Sequence, residues 1–199
     1  MELEEAKGIC RELIDKVASK AEAWRQSAPE RANKEFTSWT AAVKSVLEKI
    51  ASREQYRYES LYSNREKDIH EFLVDFTWWD PRNKTTVLAC ECEFGNVRDI
   101  KGNPGRVGED FDKLLSVKAM FKLMIFDSYE AKTSDSQVKN ILDTLQQHLR
   151  EFGQHFDGEI YILLDTRDLN DLNRARLWQC VIKQNGPDPS LVLSEISAF

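Results

Sequence analysis

Two short, almost wholly apolar runs, FKLMIF at Phe121–Phe126 and EIYILLDT at 159–166, bracket a stretch, Ser136–Phe152, whose apolar residues recur at helical spacing. Strand, helix and strand in that order make a β-α-β unit. Runs that are apolar on both sides suit strands covered by helices on both faces of a sheet. This feature alone selects an α/β protein over an all-α or all-β one.

Upstream of that unit the hydrophobic period changes. Leu3, Ala6, Ile9 or Cys10, Leu13, Val17 and Trp24 mark a helix over residues 3–26, which the Pro29-containing stretch 27–34 breaks. Phe36, Trp39, Val43, Val46, Leu47 and Ile50 mark a second helix over 36–53. From Tyr56 the spacing becomes extended, and strands are expected over 56–63, 69–78 and 85–94. Ser63-Asn64-Arg65-Glu66 and Asp80-Pro81-Arg82-Asn83 supply the turn residues for an antiparallel meander. Four glycines and Pro104 predict a loop over 95–108, followed by a helix over 109–119. Short edge strands are expected over 176–183 and 191–196, with a turn at Asn185-Gly186-Pro187. The order is thus α-α-β-β-β-α-β-α-β plus a tail: an N-terminal helical extension over 1–34 and one α/β domain over 35–199.

Composition narrows the function classes. At 41% hydrophobic and 31% charged residues, the 199-residue chain is too apolar to be disordered. No apolar run approaches the ~20 residues of a membrane helix. The acidic opening MELEEAKGIC lacks the regions of a secretory signal, so a cytoplasmic protein with no membrane partner is expected. Cysteines at 10, 90, 92 and 180 form no disulfide framework, and Cys90-x-Cys92 has no second Cys or His pair at zinc-site spacing. The net charge of −6 argues against a broad nucleic-acid surface while leaving room for a local basic groove.

The segment TTVLACECEF (85–94) carries the chemistry. Strand alternation places Val87, Ala89, Glu91 and Glu93 on one face and Leu88, Cys90, Cys92 and Phe94 on the other. Adjacent carboxylates on an otherwise apolar strand are costly unless a cation or basic group compensates them. Asp75, on the preceding strand HEFLVDF, can face the pair across a hairpin. Three converging carboxylates suit Mg²⁺ (or Mn²⁺), which prefers oxygen ligands and retained waters. The plainer alternative is a wet sheet face on which the glutamates are merely solvated.

A helix, a three-stranded meander with Asp on its second strand and Glu-x-Glu on its third, then a helix and another strand, resembles the PD-(D/E)XK nuclease superfamily over about residues 36–126. The resemblance implies a restriction-endonuclease-like core (α-β-β-β-α-β), a mixed sheet flanked by helices, with the last β-α-β as an extension. It implies metal-dependent hydrolysis of phosphodiesters in nucleic acid, DNA before RNA. Asp75 falls on the family's Asp and Glu91 on the first motif position. Glu93 stands where the family's lysine belongs. In some members that lysine moves to the following helix, which makes Lys118 a candidate: with Phe111, Leu114 and Leu115 it shares one helical stripe. Lys113 lies on another face and is the weaker choice. Glu54 corresponds to the acidic residue many members carry on the first core helix, with Glu48, Glu59 and Glu71 as competitors. The alternative to an enzyme is a catalytically inactive binding module on the same fold, and a homodimer or protein partner is left open.

Other features carry less. Arg98, Lys101 and Arg106 lie in the glycine-rich segment, where a phosphate backbone could approach, but the glycines match no phosphate-loop or dinucleotide motif. Trp78 and Trp79 point to opposite strand faces, so at most one is free to stack on a base, and core packing is favoured. His70, His148 and His155 lack a nucleophile partner and receive no catalytic role.

Overall fold

The structure is a computed structural model that describes residues 3–27, 35–60, 73–94, 103–128, 136–152, 160–166, 176–185 and 188–198. It is an α/β fold. Helices α1 (Leu3–Ser27) and α2 (Glu35–Arg53) precede strands β1 (Arg57–Ser60), β2 (Phe76–Asp80) and β3 (Thr85–Glu93). Helix α3 (Asn103–Ser116), β4 (Phe121–Phe126), α4 (Ser136–Phe152) and β5 (Ile160–Asp165) follow, and β6 (Arg176–Asn185) and β7 (Asp188–Ala198) complete the chain.

All seven strands form one mixed sheet in sequence order. The β1–β2 and β2–β3 pairs are antiparallel, β3–β4 and β4–β5 are parallel, and β5–β6 and β6–β7 are antiparallel. Each parallel step carries a helix, as the β-α-β pattern requires. Alternation then sorts side chains into two cores. Leu88, Cys90 and Cys92 of β3, with Leu123, Ile125, Ile162 and Leu164, pack against Ile9, Cys10 and Leu13 of α1 and Val43, Leu47 and Ile50 of α2. Ala89, Met124, Phe126, Tyr161 and Leu163 pack on the other face against Phe111, Leu114 and Leu115 of α3 and Ile141, Leu145 and Leu149 of α4. The helix expected as an N-terminal extension thus supplies part of the first core.

Local chemistry explains how α2 hands over to the meander. Tyr56 N–H donates to Ala51 O (2.9 Å) and Gln55 N–H to Ser52 O (3.3 Å), a Schellman closure in which Gln55 takes the left-handed backbone with φ 61°. Tyr56 then packs on the core, and β1 starts one residue later. Asp80 organises the β2–β3 turn: its Oδ1 accepts from Arg82 N–H at 2.8 Å and its Oδ2 from Asn83 Nδ2 at 2.9 Å.

Three sequence expectations are corrected. The segment read as a loop over 95–108 is helical from Asn103: Pro104 sits in the first turn, where its missing N–H has no helical partner to lose. Gly108 leaves room there for the His148 ring of α4, whose Nε2 would lie 2.5 Å from a Cβ at this position and would have to shift. That helix ends at Ser116, three residues short of the predicted end. Val87 is buried among the α1/α2-side residues, not with Ala89 and Glu91, because the ladder slips between Trp78↔Leu88 and Trp79↔Thr86. This bulge inserts Val87 as an extra residue and breaks the simple alternation. The expected strand residues 61–63 and 69–72, the turns at 63–66 and 186–187, Arg98, Lys101, Glu71, His70 and His155 lie outside the described residues.

Candidate carboxylate–lysine site

The site forms where the β2–β3 ladder runs out. Phe76 pairs with Cys90, so Asp75, one residue before β2, comes opposite Glu91. One Asp75 oxygen, Oδ2, accepts the backbone N–H of Cys92 at 3.1 Å, an N–H beyond the last β2 partner. The other, Oδ1, accepts from Lys44 Nζ of α2 at 3.0 Å. Lys44 is 4% exposed and Asp75 17%, so this ion pair is largely withdrawn from water.

Glu91 sits on the α3/α4 side and is 2% exposed. Lys113 of α3 approaches its Oε1 at 3.6 Å and is itself hydrogen-bonded to Asp110 Oδ1 at 2.6 Å. At 3.6 Å the Lys113 contact is an ion pair without a hydrogen bond, and Oε1 has no hydrogen-bond partner among the described residues. Burial first, then the negative charges of Asp75 and Asp110, push the Glu91 carboxyl up to about 9 against the pull of Lys113, and a hydrogen bond with Asp75 adds to the shift. A carboxyl raised that far holds its proton at neutral pH. Asp110 is raised as well, chiefly by burial. For Lys113 burial pulls downward, but the hydrogen bond with Asp110 and the charges of Glu91, Asp110 and Asp75 outweigh it and hold the ammonium above its ordinary value.

Asp75 and Glu91 are brought together. Glu93 is half-buried at the end of β3, and among the described residues no group of three or more His, Cys, Asp or Glu is gathered to hold a metal ion. Lys118 lies beyond the end of α3 and is exposed, so the lysine that reaches the carboxylates is Lys113. Glu54 is also exposed, its carboxylate held by Arg53 at 2.8 Å, about 15 Å along the helix axis from Lys44. Lys44 and Asp110 were missed. Asp110 could have been found as the i,i+3 partner of Lys113, whereas Lys44 reads as an ordinary surface lysine until α2 is docked on the sheet.

The sulfur side of β3 is chemically quiet. Cys90 and Cys92 lie 3.9 Å apart in the core. Their mutual hydrogen bond and burial raise Cys92, while burial and the nearby Cys90 raise Cys10, so the Cys92 and Cys10 thiols stay protonated and inert. Trp78 is fully buried and Trp79 half-buried beneath the Arg57 guanidinium at 5.7 Å. His148 Nδ1 pairs with Asp112 Oδ2 at 2.8 Å and ties α4 to α3.

As a donor set, Asp75 and Glu91 fit one divalent cation. Glu91 Oε1 has no hydrogen-bond partner among the described residues, and Mg²⁺ commonly takes only one or two carboxylates, with water and substrate oxygens completing its shell. Compared with known proteins, no family model matches the chain and no curated protein matches it in sequence. No helix among the described residues is long and apolar enough to cross a membrane.

Proposed function

We propose that this chain is a metal-dependent nuclease of the PD-(D/E)XK kind, hydrolysing phosphodiester bonds of nucleic acid, DNA before RNA. The observation that carries the reading is the pairing of half-buried Asp75 with buried Glu91, with an orphan carboxylate oxygen and a helix-borne lysine beside it. The element order α2-β1-β2-β3-α3-β4, an antiparallel meander followed by a parallel strand, supports the restriction-endonuclease-like core that the resemblance implies.

Asp75 and Glu91 would hold Mg²⁺ or Mn²⁺. When bound, the ion would polarise a phosphoryl oxygen and make a bound water more acidic than bulk water. Glu91 would hold the ion as a carboxylate, without its proton. Lys44 and the Cys92 N–H fix the Asp75 carboxylate in one orientation. Lys113, with no lysine at position 93, is the cation that stabilises charge accumulating on the phosphate. Glu93, at the mouth of the same strand, orients the attacking water.

A second reading, an inactive binding module, is favoured by one observation: Lys44 already neutralises Asp75 without any metal. Cleavage of single- and double-stranded DNA and RNA with Mg²⁺ or Mn²⁺, compared with an Asp75→Asn/Glu91→Gln variant, separates the two. Cleavage by the parent alone supports the nuclease. No cleavage by either, with no metal-induced rise in melting temperature, supports the binding module.

A further inference from the structure

We propose that β7 is the seam of a homodimer: its open edge pairs antiparallel with β7 of a second copy about a twofold axis at Val192, joining the two sheets into one. The inference is independent of the carboxylate–lysine site and of the reaction proposed for it.

A sheet in the order β1 to β7 has two edges, and the two are built differently. β1 is four residues long with Arg57, Tyr58 and Glu59 exposed, the short, charged form that keeps an edge from taking on another strand. β7 is eleven residues long, and between Asp188 and Glu195 it carries no charged residue. Among the described residues no strand lies on its outer side. α4 of the same chain lies beside β7, so what is left for a partner is the strand's outer row of backbone groups.

The hairpin fixes which groups that row contains. Asn185 stands opposite Asp188 with only residues 186 and 187 between them, so this pair exchanges the closing hydrogen bonds. Gln184 and Pro189 then pair without hydrogen bonds, and the Pro189 nitrogen, which has no hydrogen to donate, faces outward, where a strand tolerates proline. By alternation Leu191, Leu193 and Glu195 turn their N–H and C=O groups outward as well. Past Glu195 the register with β6 shifts, since Trp178 pairs with Glu195 but Leu177 with Ser197, and the regular edge ends there.

The sequence of this edge singles out a second copy as its partner. Ser190-Leu191-Val192-Leu193-Ser194 reads the same in both directions. A twofold axis at Val192 therefore sets Val192 opposite Val192, Leu191 opposite Leu193 and Ser190 opposite Ser194. The outward groups of Leu191 meet those of Leu193 on both sides of the axis, and Glu195 N–H meets Pro189 C=O, about six hydrogen bonds in all. Glu195 stands opposite Pro189 and Asp188 opposite Ile196, so no acidic residue opposes another. Moving the axis one residue either way sets Val192 against Ser190 or Ser194 and loses the match. The two Glu91 positions would lie roughly 40 Å apart across the joined sheet, at about 4.8 Å per strand, so each carboxylate site stays within one chain.

The test reads both the mass and the register of the full chain. Sedimentation equilibrium should give about twice the 23.1 kDa of one chain. In a Cys180→Ser background treated with diamide, Val192→Cys should cross-link to a dimer, because a residue on the axis faces itself at disulfide distance. Ser190→Cys and Ser194→Cys should each stay uncross-linked alone and cross-link when coexpressed. Leu193→Pro removes an outward N–H and leaves the β6 ladder its own bonds, so it should halve the mass with an unchanged circular dichroism spectrum. If that variant does not fold, the cysteine pattern decides alone. A monomeric parent overturns the inference, and so does a dimer that persists in folded Leu193→Pro or that cross-links in any other pattern.

Discussion

Asp75 and Glu91 stand opposite one another at the same end of the β2–β3 ladder, yet a different lysine answers each one. On the α2 side, Lys44 meets Asp75 at hydrogen-bonding distance with both partners largely buried. On the α3 side, Lys113 is 41% exposed, stands 3.6 Å from Glu91 and is shared with Asp110. Asp75 is thereby fixed in place, while Glu91 keeps an oxygen, Oε1, with no hydrogen-bond partner among the described residues and a carboxyl pushed up to about 9 by burial and the charges of Asp75 and Asp110. The difference teaches a division of labour: a tight buried pair sets geometry, and a loose, half-exposed pair leaves a carboxylate ready to exchange its proton for a ligand.

The sharpest way to break that contrast is Asp75→Ala. It removes a proposed metal ligand and also takes away the carboxylate that the 4% exposed Lys44 meets at 3.0 Å, so cleavage should be lost and stability should fall by about 3 kcal/mol. Thermal unfolding of the parent and Asp75→Asn serves as the control, since Asn keeps an acceptor for the Cys92 N–H. If Asp75→Ala melts with the parent, Lys44 is not the structural partner the α2 side requires.

Glu91→Gln should act in the opposite sense on stability while also abolishing cleavage. Because the folded group titrates at about 9, far above its ordinary 4.5, the folded state holds a proton that the unfolded chain has lost. That contribution is fully present below about pH 4.5 and disappears as pH rises through 9. Between about pH 6 and 9 the parent should lose up to about 4 kcal/mol of stability, at about 1.4 kcal/mol per proton per pH unit. Glu91→Gln, which carries no such proton, should show a flatter profile and melt above the parent at the alkaline end. Parallel profiles for the two proteins would mean that Glu91 is ionised at neutral pH and that the contrast with Asp75 is wrong. In the parent, metal-induced stabilisation should grow with pH over the same window, because metal and proton compete for one carboxylate.

Much of this arrangement was legible in the chain, and the parts that were not share a cause. The periods of FKLMIF, EIYILLDT and TTVLACECEF yield the strand order, and alternation yields the face of Glu91, because these signals are local. Val87 escaped alternation through a bulge set by pairing with Trp78 and Trp79. α3 escaped at both ends, because glycines read as breakers when Gly108 is in fact the seat of the His148 ring. Lys44 could not be read at all, since its partner is 31 residues away and only the docking of α2 brings them together.

The smallest effects separate the two lysines of α3 and its exit. Lys113→Ala should slow cleavage by roughly 10- to 100-fold, as loss of a charge-stabilising donor does. It should change stability by only about 1 kcal/mol or less, because its ion pairs are partly solvated. Lys118→Ala, at an exposed position beyond the helix end, should leave both rate and melting temperature at parental values. Measured side by side under single-turnover conditions, the two substitutions test where the missing motif lysine has gone. A larger rate loss for Lys118→Ala than for Lys113→Ala would mean that the residues after Ser116 close over the carboxylates in the working complex, and the loose arm of the site would then have to be assigned to the exit of α3 instead of its body.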